Sequence, residues 1–218
     1  MKTAKLVPHE DLPATDLVID AVYEGRGTRL SGEPISELLK VRNVGGFRVS
    51  GSEEKKNFIV LYTSGESGDW PDQLDVNTGR FTYYGDNRKP RRGLHATDGN
   101  RILRKVFDSL HSNRSKTPPF FVFRKPPTVS NSLSVRFKEL AIPGFLGLPS
   151  TEDLVAVSRT SDEQRFQNYR AVFTILDVSV IIPLGFSERE QTPDFAGEFN
   201  ILEQDTMLAK VYKLTDDR

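Results

Sequence analysis

The sequence contains no cysteine. That excludes disulfide scaffolds, thiol catalysis, iron–sulfur clusters and zinc sites built on thiolates. Histidine is nearly as scarce. His9, His95 and His111 lie far apart, and none forms an H-x-H or H-E-x-x-H pair. A His-rich metal-nuclease centre therefore has no ligand set. No apolar run approaches the roughly 20 residues of a membrane span. The longest, residues 178–184, is interrupted by Ser179 and Pro183. The N-terminal MKTAKLVPHEDLP has no apolar segment of a secretory signal. These absences predict a soluble, cytoplasmic protein with no membrane partner and no cofactor.

An excess of charge is missing too. Lys plus Arg number 30, and so do Asp plus Glu. Such neutrality argues against a generic nucleic-acid coat protein, yet it allows a reader whose positive charge is local. With 218 residues, 37% of them hydrophobic, the chain can fill one substantial core. A single domain over residues 16–218 is expected, after a loose leader of residues 1–15.

Several catalytic motifs are lacking. There is no G-K-[ST] of a P-loop and no G-x-S-x-G of a serine hydrolase. The metal-nuclease pattern needs an acidic residue and then E-x-K. Its only E-x-K matches, Glu53-Glu54-Lys55 and Glu54-Lys55-Lys56, fall in a polar turn. Pro71-Asp72 and Pro193-Asp194 have no E-x-K after them. A catalytic centre within this chain is not expected.

The apolar pattern predicts an α+β fold dominated by strands. Strands are expected over residues 16–23, 45–50, 55–64, 81–84, 120–124, 133–142, 154–158 and 178–183. Residues 33–40 read as a short amphipathic helix. Residues 100–112 (NRILRKVFDSLHS) read as the clearest helix, capped by Asp98 or Thr97. Residues 164–177 fit either period, with strand favoured for the second half, and a helix is expected near 205–214. Residues 65–80 form a loop of 16 residues, a length that compact domains seldom carry without a use. The shape this predicts is a strongly bent sheet or barrel with flanking helices.

One segment concentrates chemistry: NFIVLYTSGESGDWPDQLDVNTGRFTYYGDNRKPRR, residues 57–92. A buried strand ends in a Gly-containing loop. The only tryptophan, Trp70, lies among Glu66, Asp69 and Asp72. A strand bearing Tyr83 and Tyr84 follows at once. Then come Arg88, Lys89, Arg91 and Arg92, with Arg101, Arg104 and Lys105 on the helix beyond. From Asp86 to Lys105 there are 7 Lys or Arg against 2 Asp, a local charge of +5 in a neutral chain. Aromatic faces, a carboxylate and a basic patch suit a flipped nucleobase. The rings stack on the base, the carboxylate accepts from the exocyclic amine of cytosine, and the cations hold phosphates. Each part has a plainer reading. Trp70 can cap a satellite core, and one of Tyr83 and Tyr84 belongs to the core. Asp69, Asp72 and Asp75 can be turn residues, and R-K-P-R-R a solvated loop.

The order of these features resembles a known family. A strand ending in T-S-G, an acidic-aromatic loop, then F-T-Y-x-G and a basic loop is similar to the SRA domains, which bind methylated cytosine in DNA. It is most similar to the diverged N-terminal SRA-like domain of modification-dependent restriction endonucleases of the AspBHI and MspJI type. The resemblance covers residues 15–110, including DLVIDAVYEG and ISELLKVRNVGGFR near the start. It implies recognition of 5-methylcytosine, or a related modified cytosine, in double-stranded DNA by base flipping. By position, Trp70 and Tyr83 would be the stacking aromatics, and Asp72 would read the cytosine edge with Asp69 as its rival. Tyr84 stands where many SRA domains have threonine, and Glu66 lies in the same loop. Arg88, Lys89, Arg91, Arg92, Arg101 and Arg104 would contact the DNA backbone. The family's nuclease domain lies C-terminal to this module, and no trace of it is found in the sequence; such a domain, linked or separate, would be a further partner. Two other readings stand beside this one. The first is an enzyme acting on a nucleobase or nucleotide, with Asp72 or Glu66 as acid–base groups. The second is a protein–protein module centred on Trp70.

Overall fold

Two stretches are apolar at every position, residues 58–61 (FIVL) and 120–123 (FFVF). Such runs suit strands that are covered on both faces. The computed structural model, which describes residues 5–42, 45–52, 56–65, 70–112, 117–127, 131–161, 163–176 and 181–182, has them side by side at the centre of a large sheet. In chain order the strands are β1 (Leu6–Val7), β2 (Leu17–Val18), β3 (Val22–Tyr23), β4 (Phe47–Gly51), β5 (Lys56–Thr63), β6 (Gln73–Asp75), β7 (Arg80–Tyr84), β8 (Phe120–Arg124), β9 (Val135–Pro143), β10 (Leu154–Ser161), β11 (Gln164–Ile175) and β12 (Ile181–Ile182). The α-helices are α1 (Pro34–Leu39), α2 (Asp98–Ser112) and a single turn, α3 (Ser150–Asp153).

The main path of the sheet runs β4-β5-β8-β9-β11-β7-β6, with β1, β3 and β10 attached to it. β5 and β8 are parallel, and the other neighbours on the path are antiparallel. Among the described residues the path has two free ends, β4 and β6, so the bent sheet is not closed into a barrel there. β11 makes the corner. Its first part pairs with β10, and its last residues pair with both β7 and β9.

The strand alternation splits the apolar residues between two cores. Phe58, Val60, Phe121 and Phe123 point to one side, where they meet Leu12, Tyr23, Ile35 and Leu39. Ile59, Leu61, Phe120 and Val122 point to the other, where they meet Leu103, Phe107 and Phe173. α1 covers the first face and α2 the second. α1 has Pro34 at its first turn, and Lys40 ends it in the left-handed conformation (φ 51°). Its N-cap, Glu33, does not cap. Glu33 instead accepts two 2.6 Å bonds from the buried Arg48 on β4.

Four sequence expectations change. Residues 6–14, expected as part of a loose leader, are packed: β1 pairs with β3, and Leu12 is buried. Residues 16–23 do not form one strand, because Asp20 takes φ 61° and turns the chain between β2 and β3. Asp tolerates that region better than most residues. Tyr23 seals the turn; its hydroxyl accepts from the Val18 N–H and donates to the Asp16 carbonyl. Burial pushes that phenol up to about 12. The 65–80 segment is not loop throughout, since β6 adds to the edge of the sheet there. Residues 164–175 are strand over their whole length, because pairing to three partners overrides the helical spacing of Phe166, Tyr169, Val172 and Phe173. The helix expected at 205–214 and the E-x-K turn at 53–55 lie outside the described residues.

Candidate nucleic-acid interface

β7 carries the F-T-Y-Y-G motif to the rim of the second core. Alternation buries Phe81 and Tyr83 and leaves Thr82 and Tyr84 half-exposed. Tyr83 is thus the core tyrosine of the pair, only 2% exposed. Burial raises its phenol well above the usual range, and the nearby Asp72 carboxylate raises it further. Gly46 lies against it from the β4 side: a Cβ there would stand 3.4 Å from the Tyr83 hydroxyl and 2.7 Å from the Tyr62 carbonyl.

Asp72 precedes β6, and its Oδ1 accepts the Tyr84 N–H at 2.8 Å. The hydroxyl of Thr63, at the end of β5, and the charge of Arg88 both favour the ionised form of this carboxyl. Burial outweighs these contacts and raises the carboxyl above its ordinary range. A carboxylate has about four lone-pair positions, so acceptor capacity is left over. Beside it is a narrow cleft, lined by Thr63, Leu74, Phe81, Arg124 and Lys138 among others. As it stands, the cleft has room for a water molecule but not for a pyrimidine ring.

Trp70 is also only 2% exposed. Its ring is 5.4 Å from that of Tyr84 and meets Phe166 of β11 edge-on at 5.7 Å. The guanidinium of Arg159, on β10, lies 5.0 Å from the indole. Such a contact is worth about 0.5–1 kcal/mol at an exposed site. The β10–β11 hairpin therefore covers Trp70. The sequence expected an accessible aromatic at 70; the accessible ring of this cluster is Tyr84. A buried indole also gives no support to the protein–protein hot-spot reading. Glu66 and Asp69 lie outside the described residues.

The structure gathers Trp70, Asp72, Tyr83 and Tyr84 at one place, and the basic loop starts directly beyond Tyr84. Three fully buried asparagines fix that loop. Asn87 donates to the Gln167 carbonyl, Asn100 to the Leu94 carbonyl, and Asn168 to the Gly85 carbonyl. Gly85, the glycine of the motif, is required by the packing. A Cβ there would fall 1.8 Å from the Asn100 Oδ1. The first amides of α2 are not capped by Asp98 or Thr97. The carboxylate of Asp86 accepts from the Gly99 and Asn100 N–H groups, both at 3.1 Å. Asp98 bonds to Arg101 instead.

Arg88, Lys89, Arg91 and Arg92 are all exposed. Arg91 takes φ 67°, and its Nε donates to Gln164 at the hairpin tip. Arg101 and Arg104 are exposed on α2, and each is engaged within the helix, with Asp98 and Asp108 respectively. Sequence reasoning missed Asp86, Asn87, Asn100, Arg159, Phe166 and Asn168. The polar G-D-N before the basic run was the one local signal. Among the described residues no three acidic or His side chains gather to hold a metal, and no helix is long and apolar enough to cross a membrane.

Comparison with known proteins decides the family. The profile of the restriction endonuclease AspBHI N-terminal domain matches residues 17–191. The chain belongs to this family. The DNA recognition domain of the cytosine modification-dependent restriction endonuclease LpnPI is 42% identical, with a TM-score of 0.83 over 99% of this chain and 94% of that domain. The DNA modification-dependent restriction endonuclease AspBHI is 41% identical, with a TM-score of 0.79 over 93% of this chain. This chain corresponds to 53% of AspBHI. MspJI in complex with a 27-mer oligonucleotide shares the fold at 17% identity, with a TM-score of 0.55. Comparison with curated proteins gives no match.

Proposed function

We propose that this chain is a DNA-reading module that selects a modified cytosine, 5-methylcytosine or a close relative, in double-stranded DNA by flipping it out of the helix. The observation that carries this reading is the 42% identity, along almost the whole chain, to a domain described as the DNA recognition domain of a cytosine modification-dependent endonuclease. The local chemistry supports it. Asp72 is a half-buried acceptor held in place by the Tyr84 N–H, which suits the amine of a cytosine edge. Tyr84 supplies accessible ring surface beside it, the buried Trp70 packs against that ring, and Tyr83 backs the site from the core. Arg88, Lys89, Arg91 and Arg92 stand next to this cluster and supply phosphate contacts.

The module acts as a cytoplasmic reader, and cleavage belongs to a nuclease domain outside the described residues. The purified chain is expected to bind methylated plasmid without cutting it in Mg²⁺. Flipping itself is tested with 2-aminopurine placed beside the modified cytosine. Its fluorescence should rise on binding to the modified duplex, because unstacking relieves quenching. Tight, modification-selective binding with no such rise would leave selectivity intact and remove the flipping mechanism.

A further inference from the structure

The cleft beside Asp72 holds a donor as well as an acceptor. Arg124 is the last residue of β8, and parallel pairing sets it opposite Thr63 of β5. Thr63, Asp72 and Arg124 thus line one cleft from three different segments. Arg124 lies across Gly65, where a Cβ would stand 3.0 Å from Nη2. Gly65 has φ 70°, so this close approach coincides with a backbone that already favours glycine. Lys138, the second cation of the cleft, is tied to Asp20. Arg124 instead stands exposed at the mouth.

A cytosine edge offers one donor, the amine, followed by two acceptors, the ring nitrogen and the carbonyl oxygen. Asp72 answers only the amine. A desolvated edge whose acceptors go unmet is costly. A guanidinium presents several N–H donors in a planar fork and has no acceptor. Asp72 beside Arg124 is therefore the complement of cytosine. It is mismatched to thymine, whose edge carries an acceptor where cytosine carries the amine.

We propose that Arg124 is a specificity-determining residue that donates to the ring nitrogen or carbonyl oxygen of the flipped cytosine while Asp72 accepts from its amine. This rests on the base-flipping reading above. The cleft is too small for a base as it stands, so the Arg124 side chain shifts off Gly65 when the base arrives. The movement lies within reach of a flexible, exposed side chain.

The test is equilibrium titration of the full chain and of Arg124→Met and Arg124→Lys. Two duplexes are used, identical except for one 5-methylcytosine, over a series of salt concentrations. A base-edge contact is worth about 1–3 kcal/mol of discrimination. Arg124→Met should therefore weaken binding to the modified duplex by about 5- to 150-fold. Binding to the unmodified duplex and the salt slope should stay as in the wild type. Arg124→Lys, which keeps a donor, should recover part of the loss. Equal weakening of both duplexes, or a salt slope reduced by about one, would mark a phosphate contact and overturn the proposal. So would a wild-type preference that Arg124→Met retains. A wild-type chain without any preference would remove the flipping reading, and this inference with it.

Discussion

Trp70 and Tyr83 are each 2% exposed, whereas Arg88, Lys89, Arg91 and Arg92 stand in solvent a few residues further along the chain. The first group is held by ring packing; the second carries exposed positive charge. The difference separates two kinds of effect. On the proposed function, a change in the interior should alter stability and base selectivity together. A change at the rim should alter affinity for any duplex and leave the fold alone.

Trp70→Ala should show the largest effect. It removes a buried ring that packs against Tyr84 and Phe166 and underlies Arg159. Truncating a buried aromatic costs about 3–5 kcal/mol. Urea unfolding should show a loss of that order, and near-wild-type stability would mean the hairpin does not pack on the indole in solution. Because Trp70 is the only tryptophan, its fluorescence reports the same contact. Arg159→Ala should make it more accessible to acrylamide.

Asp72→Asn sharpens the comparison from inside. If the oxygen of the new amide keeps the Tyr84 N–H, its nitrogen becomes a donor and opposes the cytosine amine. Selectivity should then fall by about 1–3 kcal/mol while the fold persists. Stability should behave in a definite way with pH. The Asp72 carboxyl is raised by burial, so the fold favours its neutral form. Its contribution is greatest below the ordinary carboxylate range and is lost as pH rises through the raised value. The variant should lack that loss, so the gap in urea midpoint between variant and wild type should widen in favour of the variant from acid to neutral pH. A constant gap would mean that Asp72 is solvated.

Arg91→Ala and Arg92→Ala should leave stability nearly unchanged. Each should weaken modified and unmodified duplexes alike and lower the salt slope by about 0.9 if one phosphate contact is lost. Loss of selectivity in either variant would breach the division between interior and rim. Arg104→Ala should lower stability by no more than about 1 kcal/mol in urea unfolding. Its pair with Asp108 is exposed, and such pairs contribute about 0–1 kcal/mol.

The parts legible in the sequence were those with a local signature. The alternation of F-T-Y-Y assigns one tyrosine to the core, and α2 shows its apolar face in Leu103, Val106, Phe107 and Leu110. The basic loop shows in charge alone. What stayed hidden depends on distant partners. Asp86 caps α2 from 13 residues upstream of Gly99, and Asn168 reaches Gly85 across 83 residues. Neither leaves a periodic trace. The cover over Trp70 was missed for the same reason. Phe166 and Arg159 come from a hairpin whose first strand turns polar after Val157 (S-R-T-S) and whose second strand mimics a helical stripe.

The most direct test of the central claim is a paired titration of the wild-type chain. The two duplexes differ by one 5-methyl group on cytosine, and the salt concentration is fixed at about 0.15 M. A base contact worth about 1.4 kcal/mol is a factor of ten, so the modified duplex should bind at least about tenfold tighter. Equal affinity for the two duplexes would contradict the account.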